Sequence, residues 1–140
     1  MGNDSFEILI KNQIDEIQRV YARLEEFVGS AKLQENITGK INMVFDELLS
    51  NIIQYGYQDS NEHEIKIMVK VIDSKMRVQI EDEGVAFNPF EVRAPDTNVP
   101  FDDRDIGGLG IHLTQSVMDE CQYQRMGNKN IVTLVKHLDE

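Results

Sequence analysis

Two neighbouring stretches of alternating residues constrain the fold of this chain more than any other feature of its sequence. Val, Ile and Met alternate with polar residues through Glu64–Ile72 and again through Lys75–Asp82, and only Asp73 and Ser74 separate the two stretches. Such alternation is typical of a strand with one buried face, and a two-residue polar connection is typical of a hairpin. We therefore expect an antiparallel pair of strands that ends at Asp82.

The rest of the chain is expected to add strands at both ends and three helices. Apolar residues recur at helical spacing in three segments, and a second polar turn separates the last two alternating stretches. A further strand is predicted at 6–11, and helices are predicted at 14–28, from about 33 or 38 to 57, and at about 109–119. The last predicted element is a hairpin, in which Glu120–Met126 and 131–138 are joined by Gly127, Asn128 and Lys129.

The order of these elements, β-α-α-β-β-loop-α-β-β, favours one fold class. Helices interleaved with hairpins predict an α/β (α+β) two-layer sandwich, in which a mixed, largely antiparallel sheet is covered on one face by helices. A length of 140 residues suits one domain that spans 1–140 and has a single core.

Composition excludes several classes of function. The formal net charge of −11 argues against a surface for nucleic acid or anionic membrane, because phosphate contacts need clustered Lys and Arg. Cys121 is the only cysteine, so an internal disulfide is excluded and a reducing compartment is expected. With neither a membrane-spanning run nor a signal peptide in the sequence, we expect a cytoplasmic protein.

A long polar segment from about 83 to 108 separates the central hairpin from the third helix. It contains all three prolines of the chain, Pro89, Pro95 and Pro100, and few apolar residues. In so small a domain a loop of this length is more often functional than a simple connection, so we expect a lid over a site.

Glu47 and Asn51 lie one helical turn apart on the polar side of the second predicted helix. Any amphipathic helix carries such residues on its solvated face. A nucleotide site would use them specifically, because Mg²⁺ needs few protein oxygens beside water and phosphate, and a carboxylate one turn away can orient or deprotonate a nucleophile.

Two further motifs offer contacts to a base and to phosphates. Asp82 can accept a hydrogen bond from an amino group, and Gly84 allows the backbone to approach a ring. We expect Phe87 to pack in the core rather than stack on a ligand. Gly107, Gly108 and Gly110 stand before the third helix and would offer open backbone amides and a helix N-terminus to an anion. Neither a P-loop nor the three-glycine dinucleotide motif occurs.

The segments 45–53, 81–89 and 105–111 resemble the N, G1 and G2 boxes of the GHKL ATPases, and most closely those of bacterial anti-sigma-factor serine kinases. The resemblance implies a Bergerat fold that binds ATP and Mg²⁺ beneath a mobile lid. It implies Glu47 as general base, Asn51 as Mg²⁺ ligand and Asp82 as the adenine contact. The remaining candidate nucleotide-binding residues are Gly84, Phe87, Gly107, Gly108, Leu109 and Gly110.

The same resemblance implies an activity and partners. Such kinases transfer phosphate to a serine of an anti-anti-sigma protein of the STAS fold and so regulate a sigma factor, and they are commonly homodimers. This sequence departs from many relatives in having Gln54, Tyr55, Gly56 and Tyr57 where a histidine is common near Tyr55. An ATP-binding regulatory module that senses nucleotide or sequesters a partner is the alternative, and a detached histidine-kinase catalytic domain ranks third.

Overall fold

The computed structural model describes residues 4–91 and 106–138. Its elements follow the predicted order. They are β1 (Asp4–Lys11), α1 (Ile17–Ser30) after a 3-10 turn (Ile14–Glu16), α2 (Asn36–Tyr55), β2 (Glu64–Ile72), β3 (Lys75–Asp82), a 3-10 turn (Pro89–Glu91), α3 (Ile106–Val117), β4 (Glu120–Met126) and β5 (Lys129–His137).

The five described strands form one sheet in the order β1-β2-β3-β5-β4. All of its neighbouring strands run antiparallel, so the predicted two-layer α+β fold is confirmed, with an antiparallel rather than a mixed sheet. The central strand β3 pairs with β2 on one side and β5 on the other. This register sets Asp82, the last residue of β3, opposite Asn130 near the start of β5.

The core lies between one face of the sheet and the apolar sides of α1 and α2. Helix α1 buries Leu24 and Phe27, and α2 buries Ile41, Phe45 and Leu49, as their helical spacing requires. Inward residues at every second position of β2 and β3 meet them, and each fully buried aliphatic side chain stabilises the fold by about 1.5–3 kcal/mol. Because α2 is anchored along this face, its polar side is held at the edge of the sheet.

Turn chemistry explains the hairpins. Asp73 and Ser74 both have positive φ, 52° and 63°, which matches the right-handed twist of the strands that they join. In the last hairpin Met126 pairs with Lys129, so the connection is Gly127 and Asn128 rather than the predicted three residues. Gly127, at φ 62°, makes the shorter turn accessible.

Helix α3 begins earlier than its sequence suggests. The predicted start was about Leu109, but the helix runs from Ile106, so Gly107, Gly108 and Gly110 lie within its first turns and not in a preceding loop. Glycine weakens a helix by about 1 kcal/mol per residue. Helix α3 contacts α2, and tertiary packing of this kind, which supplies most helix stability in proteins, is invisible to local propensity.

The predicted lid falls mostly outside the described residues, which exclude 92–105. Its first part contains the 3-10 turn Pro89–Glu91, and its last residues open α3. Within the described parts of the chain, no helix is long and apolar enough to cross a membrane.

Candidate functional site

A pocket lies where the C-terminal half of α2 meets the ends of β3 and β5. We name it the α2–β3 pocket, and it encloses about 110 Å³. A concave, mostly apolar space with a few polar groups is the usual form of a ligand site, so this pocket is the candidate site. The lining residues are Leu48, Asn51, Ile52, Tyr55, Gly56, Ile80, Asp82, Val85, Ala86, Phe87, Pro89, Asn130 and Val132.

Asp82 is the only carboxylate among these lining residues, and its side chain is only 5% exposed. Its Oδ1 accepts hydrogen bonds from the backbone N–H of Gly84 at 2.8 Å and from Nδ2 of Asn130 at 3.0 Å. Both bonds that Asp82 receives from described residues go to Oδ1, which leaves Oδ2 for another donor. Burial raises the pKa of Asp82, while the bonds from Asn130 and Gly84 and the charge of Arg125 oppose that rise.

Asn130 holds the polar side of the pocket together. It is 4% exposed, and its Nδ2 donates to Val85 O at 2.8 Å as well as to Asp82. Its Oδ1 accepts from the hydroxyl of Tyr123 and from Nη1 of Arg125 at 3.2 Å. A buried carboxamide that makes all of these bonds fixes both Asp82 and the segment that follows β3.

Sequence reasoning missed Asn130. One signal was present, since Asn130 occupies an inward position of β5, two and four residues before the buried Val132 and Leu134. A polar residue at a core-facing strand position needs a polar partner. That partner is 48 residues away, so only the strand register identifies it.

Gly84 is required by the close approach of two backbone segments. A Cβ at Gly84 would lie 2.3 Å from the carbonyl oxygen of Gly56, which follows α2. That carbonyl accepts a hydrogen bond from Val85 N at 2.7 Å, while Gly84 O accepts from Nη1 of Arg125 at 2.9 Å. Glycine at position 84 is therefore required by the approach of Gly56, whereas the predicted approach of this backbone to a ligand ring stays a prediction.

A match to a family of known proteins covers most of the chain. Residues 10–136 match the model of the histidine kinase-like ATPase domain family. The chain belongs to this family.

Relatives of this histidine kinase-like ATPase domain include named protein kinases. The serine/threonine-protein kinase BtrW of Bordetella bronchiseptica is 28% identical over 108 residues, which are 77% of this chain and 73% of that protein. The serine-protein kinase RsbW of Bacillus subtilis is 25% identical over 147 residues, covering 93% of this chain and 90% of that protein.

Solved structures share the fold. The structure of the RsbU and RsbW domains of Rv1364c from Mycobacterium tuberculosis superposes with a TM-score of 0.70 at 15% identity, and the match covers 96% of this chain and 32% of that one. The histidine kinase AdeS of Acinetobacter baumannii gives a TM-score of 0.54 at 19% identity, with 96% and 68% covered.

The structure brings Asn51, Asp82, Gly84 and Phe87 to one region of this ATPase domain. Asn51 lines the α2–β3 pocket, and its Nδ2 donates to Oε2 of Glu47 at 3.1 Å, as the spacing of one helical turn allows. Glu47 is half-buried on the same side of α2. This bond orients the Asn51 amide, so that its carbonyl oxygen faces away from the carboxylate.

Phe87 does not pack in the core, contrary to expectation. Its side chain is 47% exposed and lines the α2–β3 pocket, because the chain has already left β3 at this point. Gly107, Gly108, Leu109 and Gly110 lie in the first turns of α3. Their part in phosphate binding stays a prediction.

The segment after α2 carries a second arrangement that the sequence did not reveal. Tyr57 stacks on His63 with ring centroids 4.3 Å apart, and His63 Nε2 lies 2.7 Å from Oδ1 of Asp59. Burial is the largest cause that raises the pKa of Tyr57, and the negative charge of Asp82 is the second. The Tyr57 hydroxyl therefore stays protonated beside that carboxylate. These contacts fix the connection between α2 and β2 close to the pocket.

Proposed function

We propose that this histidine kinase-like ATPase domain is a Mg²⁺- and ATP-dependent serine protein kinase of the anti-sigma type. In this proposal it phosphorylates an anti-anti-sigma partner of the STAS fold, regulates a sigma factor and works in the cytoplasm as a homodimer. The observation that carries the proposal is the buried Asp82, with one oxygen held and the other left for a donor. The family match and the relatives named as serine-protein kinases support it.

Asp82 and its surroundings suit an adenine ring. The exocyclic amino group of adenine would donate to Oδ2, and the apolar walls of the α2–β3 pocket, among them Ile52, Val85 and Phe87, would cover the ring faces. Gly84 would let the backbone lie close to the base. A carboxylate selects an amino group over a carbonyl at that position, so we expect ATP to bind more tightly than GTP.

Asn51 and Glu47 would serve the phosphate end of the nucleotide. Mg²⁺ would be held by the Asn51 carbonyl oxygen and by phosphate oxygens, since this ion is usually bound through one or two protein ligands and the substrate phosphates. This donor set fits Mg²⁺, which keeps several waters and neutralises charge on the transferring phosphate when bound.

Glu47 would act as general base in the transfer. The seryl oxygen of the partner forms a bond to the γ-phosphorus, the bond to the β,γ-bridging oxygen breaks, ADP leaves, and Glu47 takes the seryl proton. The hydrogen bond from Asn51 would orient the Glu47 carboxylate for this step. The backbone amides of Gly107, Gly108, Leu109 and Gly110, at the N-terminus of α3, would hold the phosphates.

Calorimetric titration with ATP and Mg²⁺ tests the nucleotide site. Asp82→Asn should weaken binding by about tenfold to a hundredfold, because a hydrogen bond to a charged group is worth about 1.5–3 kcal/mol. Asp15→Asn, an exposed change outside the pocket, should bind as the wild type does. Failure of the folded wild type to bind ATP would overturn the kinase assignment.

Phosphate transfer is tested separately with a STAS protein from the same genome and labelled ATP. Glu47→Gln should abolish labelling of the partner serine while ATP affinity stays within about threefold. Asp46→Asn, the neighbouring and exposed acid of α2, is the matched control and should keep the activity. Full labelling by Glu47→Gln would contradict the proposed base. Tight ATP binding without transfer by the wild type would favour the regulatory-module alternative.

A further inference from the structure

In the described part of the chain, most cationic side chains that lack an ion pair lie at one end of the molecule. Some of the described Lys and Arg side chains form an ion pair with a carboxylate. Arg125 instead donates hydrogen bonds to the carbonyl of Gly84 and to the side-chain oxygen of Asn130. Six make neither an ion pair nor a side-chain hydrogen bond in this part of the chain. We call them the basic end: Lys32, Lys40, Lys70, Lys75, Arg77 and Lys136.

The basic end lines two grooves on either side of the β2–β3 turn. Lys32, Lys40 and Lys136 line a groove of about 540 Å³ that also includes Ser74. The other three line a groove of about 510 Å³ that also includes Asp73. Neither groove shares a lining residue with the α2–β3 pocket, so a ligand in the grooves need not displace one from the pocket.

The grooves are positive on a chain that is strongly negative. They hold the six cations of the basic end against the carboxylates of Asp4, Asp73 and Glu120, whereas the whole chain has a formal net charge of −11. Acidic side chains therefore dominate the rest of the molecule. Such separation of charge directs a partner of opposite sign to one face and fixes its orientation.

Two local arrangements at the basic end are unfavourable in the isolated chain. Lys70 and Arg77 are directly opposite each other on β2 and β3, and like charges in that relation destabilise a sheet. Lys32 has φ 60° after α1, a left-handed conformation that favours glycine. A bound anionic group would relieve the repulsion between Lys70 and Arg77.

We propose that the basic end is a docking surface for an acidic segment of a protein partner, separate from the α2–β3 pocket. A short segment of Asp and Glu residues matches two grooves that each present three cations. A long polyanion such as nucleic acid, or an anionic membrane, would meet the acidic remainder of the surface and be repelled. Docking at this end leaves the α2–β3 pocket open.

Fluorescence anisotropy with a labelled Asp- and Glu-rich peptide of about a dozen residues tests this surface. At about 0.05 M and 0.15 M salt, where screening lengths differ, Lys70→Glu/Arg77→Glu and Lys32→Glu/Lys40→Glu should each bind the peptide at least about tenfold more weakly than the wild type. Lys11→Glu/Lys129→Glu changes net charge equally and alters exposed, ion-paired lysines at other sites, so it should lose less than about threefold.

Three results would overturn the assignment. Equal loss in the control would show that only overall charge matters, and absence of wild-type binding at about 0.15 M salt would show that no docking surface exists. Tighter binding of a single-stranded oligonucleotide of equal charge would replace the acidic protein segment with nucleic acid. ATP binding and unfolding temperature of the two variants of the basic end should match the wild type, which separates this proposal from the proposed kinase activity.

Discussion

Asp82 is a carboxylate that the protein buries in a mostly apolar pocket. Leaving water disfavours its charged form, and two hydrogen bonds to Oδ1 recover only part of that loss. An asparagine could accept the same two bonds without the cost of burying a charge, so the presence of a carboxylate supports the proposed contact to a ligand. This contrast leads to a prediction that needs no partner protein.

Asp82→Asn should change how stability depends on pH. Because the pKa of Asp82 is raised in the folded protein, the folded state favours the protonated acid, and stability is lost as pH rises from the unfolded pKa, near 4, through the folded one. The wild type should therefore lose stability relative to Asp82→Asn across this window. Urea unfolding at a series of pH values gives the unfolding free energy of both proteins. Parallel curves of this free energy against pH would contradict the raised pKa of Asp82.

Asn130→Ala should damage both stability and nucleotide binding. The change leaves Val85 O without its side-chain donor and removes one of the two bonds to Asp82 Oδ1, so we expect a loss of about 1–3 kcal/mol in unfolding free energy. ATP affinity should fall as Asp82 loses its fixed orientation. Thr133→Ala, on the opposite face of the same strand, is the control for both measurements. An unchanged ATP affinity would show that Gly84 alone positions Asp82.

Helix α2 connects the core to the site at the scale of elements. One side buries Ile41, Phe45 and Leu49 against the sheet, and the other carries Glu47 and Asn51. Its C-terminal end is joined to the segment after β3 by the bond from Val85 N to Gly56 O. The position of the catalytic and base-binding candidates therefore depends on one tight junction.

Gly84→Ala should open that junction. The added methyl group would lie 2.3 Å from a backbone carbonyl oxygen, which must move, and overpacking of this kind costs about 1–3 kcal/mol. Gly39→Ala on α2 is the opposite case, because nothing lies within 4 Å of its Cβ position, and it should stabilise the protein by about 1 kcal/mol. Chemical denaturation gives the unfolding free energy of each variant. Equal changes in the two variants would contradict the close contact at Gly84.

Charge is distributed unevenly at the scale of the whole molecule. The α2–β3 pocket and the two grooves of the basic end have no lining residue in common, and the unpaired cations of the described chain line only the grooves. This separation would allow the proposed nucleotide and the proposed acidic protein segment to bind at the same time. Occupation of the pocket should be visible in the stability of the entire fold.

ATP with Mg²⁺ should raise the unfolding temperature. At a hundredfold excess of ATP over its Kd, binding adds about 2.7 kcal/mol, or roughly 5–10 °C for a chain of this size. Removing Mg²⁺ with a chelator should reduce the shift, and Glu47→Gln should keep it. Asp82→Asn, with ATP affinity about tenfold to a hundredfold weaker, should lose about half of the shift or more. Scanning calorimetry measures all four conditions. A full shift in Asp82→Asn would place the adenine contact elsewhere.

The sequence by itself determined which segments form strands and helices, and in which order. Alternation gave the bounds of β2 and β3, helical spacing gave the buried faces of α1 and α2, and Asp73 and Ser74 marked a tight turn. These are local properties, since side chains a few residues apart already share a face. The motif around Asp82 and Gly84 was recognisable for the same reason.

Only the tertiary structure decided which distant residues meet. The register of β3 against β5 joins Asp82 to Asn130, the approach of Gly56 explains Gly84, and the end of β3 leaves Phe87 at a pocket wall instead of in the core. Helix α3, which contacts α2, already includes Gly107, Gly108 and Gly110. Each of these depends on contacts between elements far apart in the chain, and their free energies do not enter any local pattern.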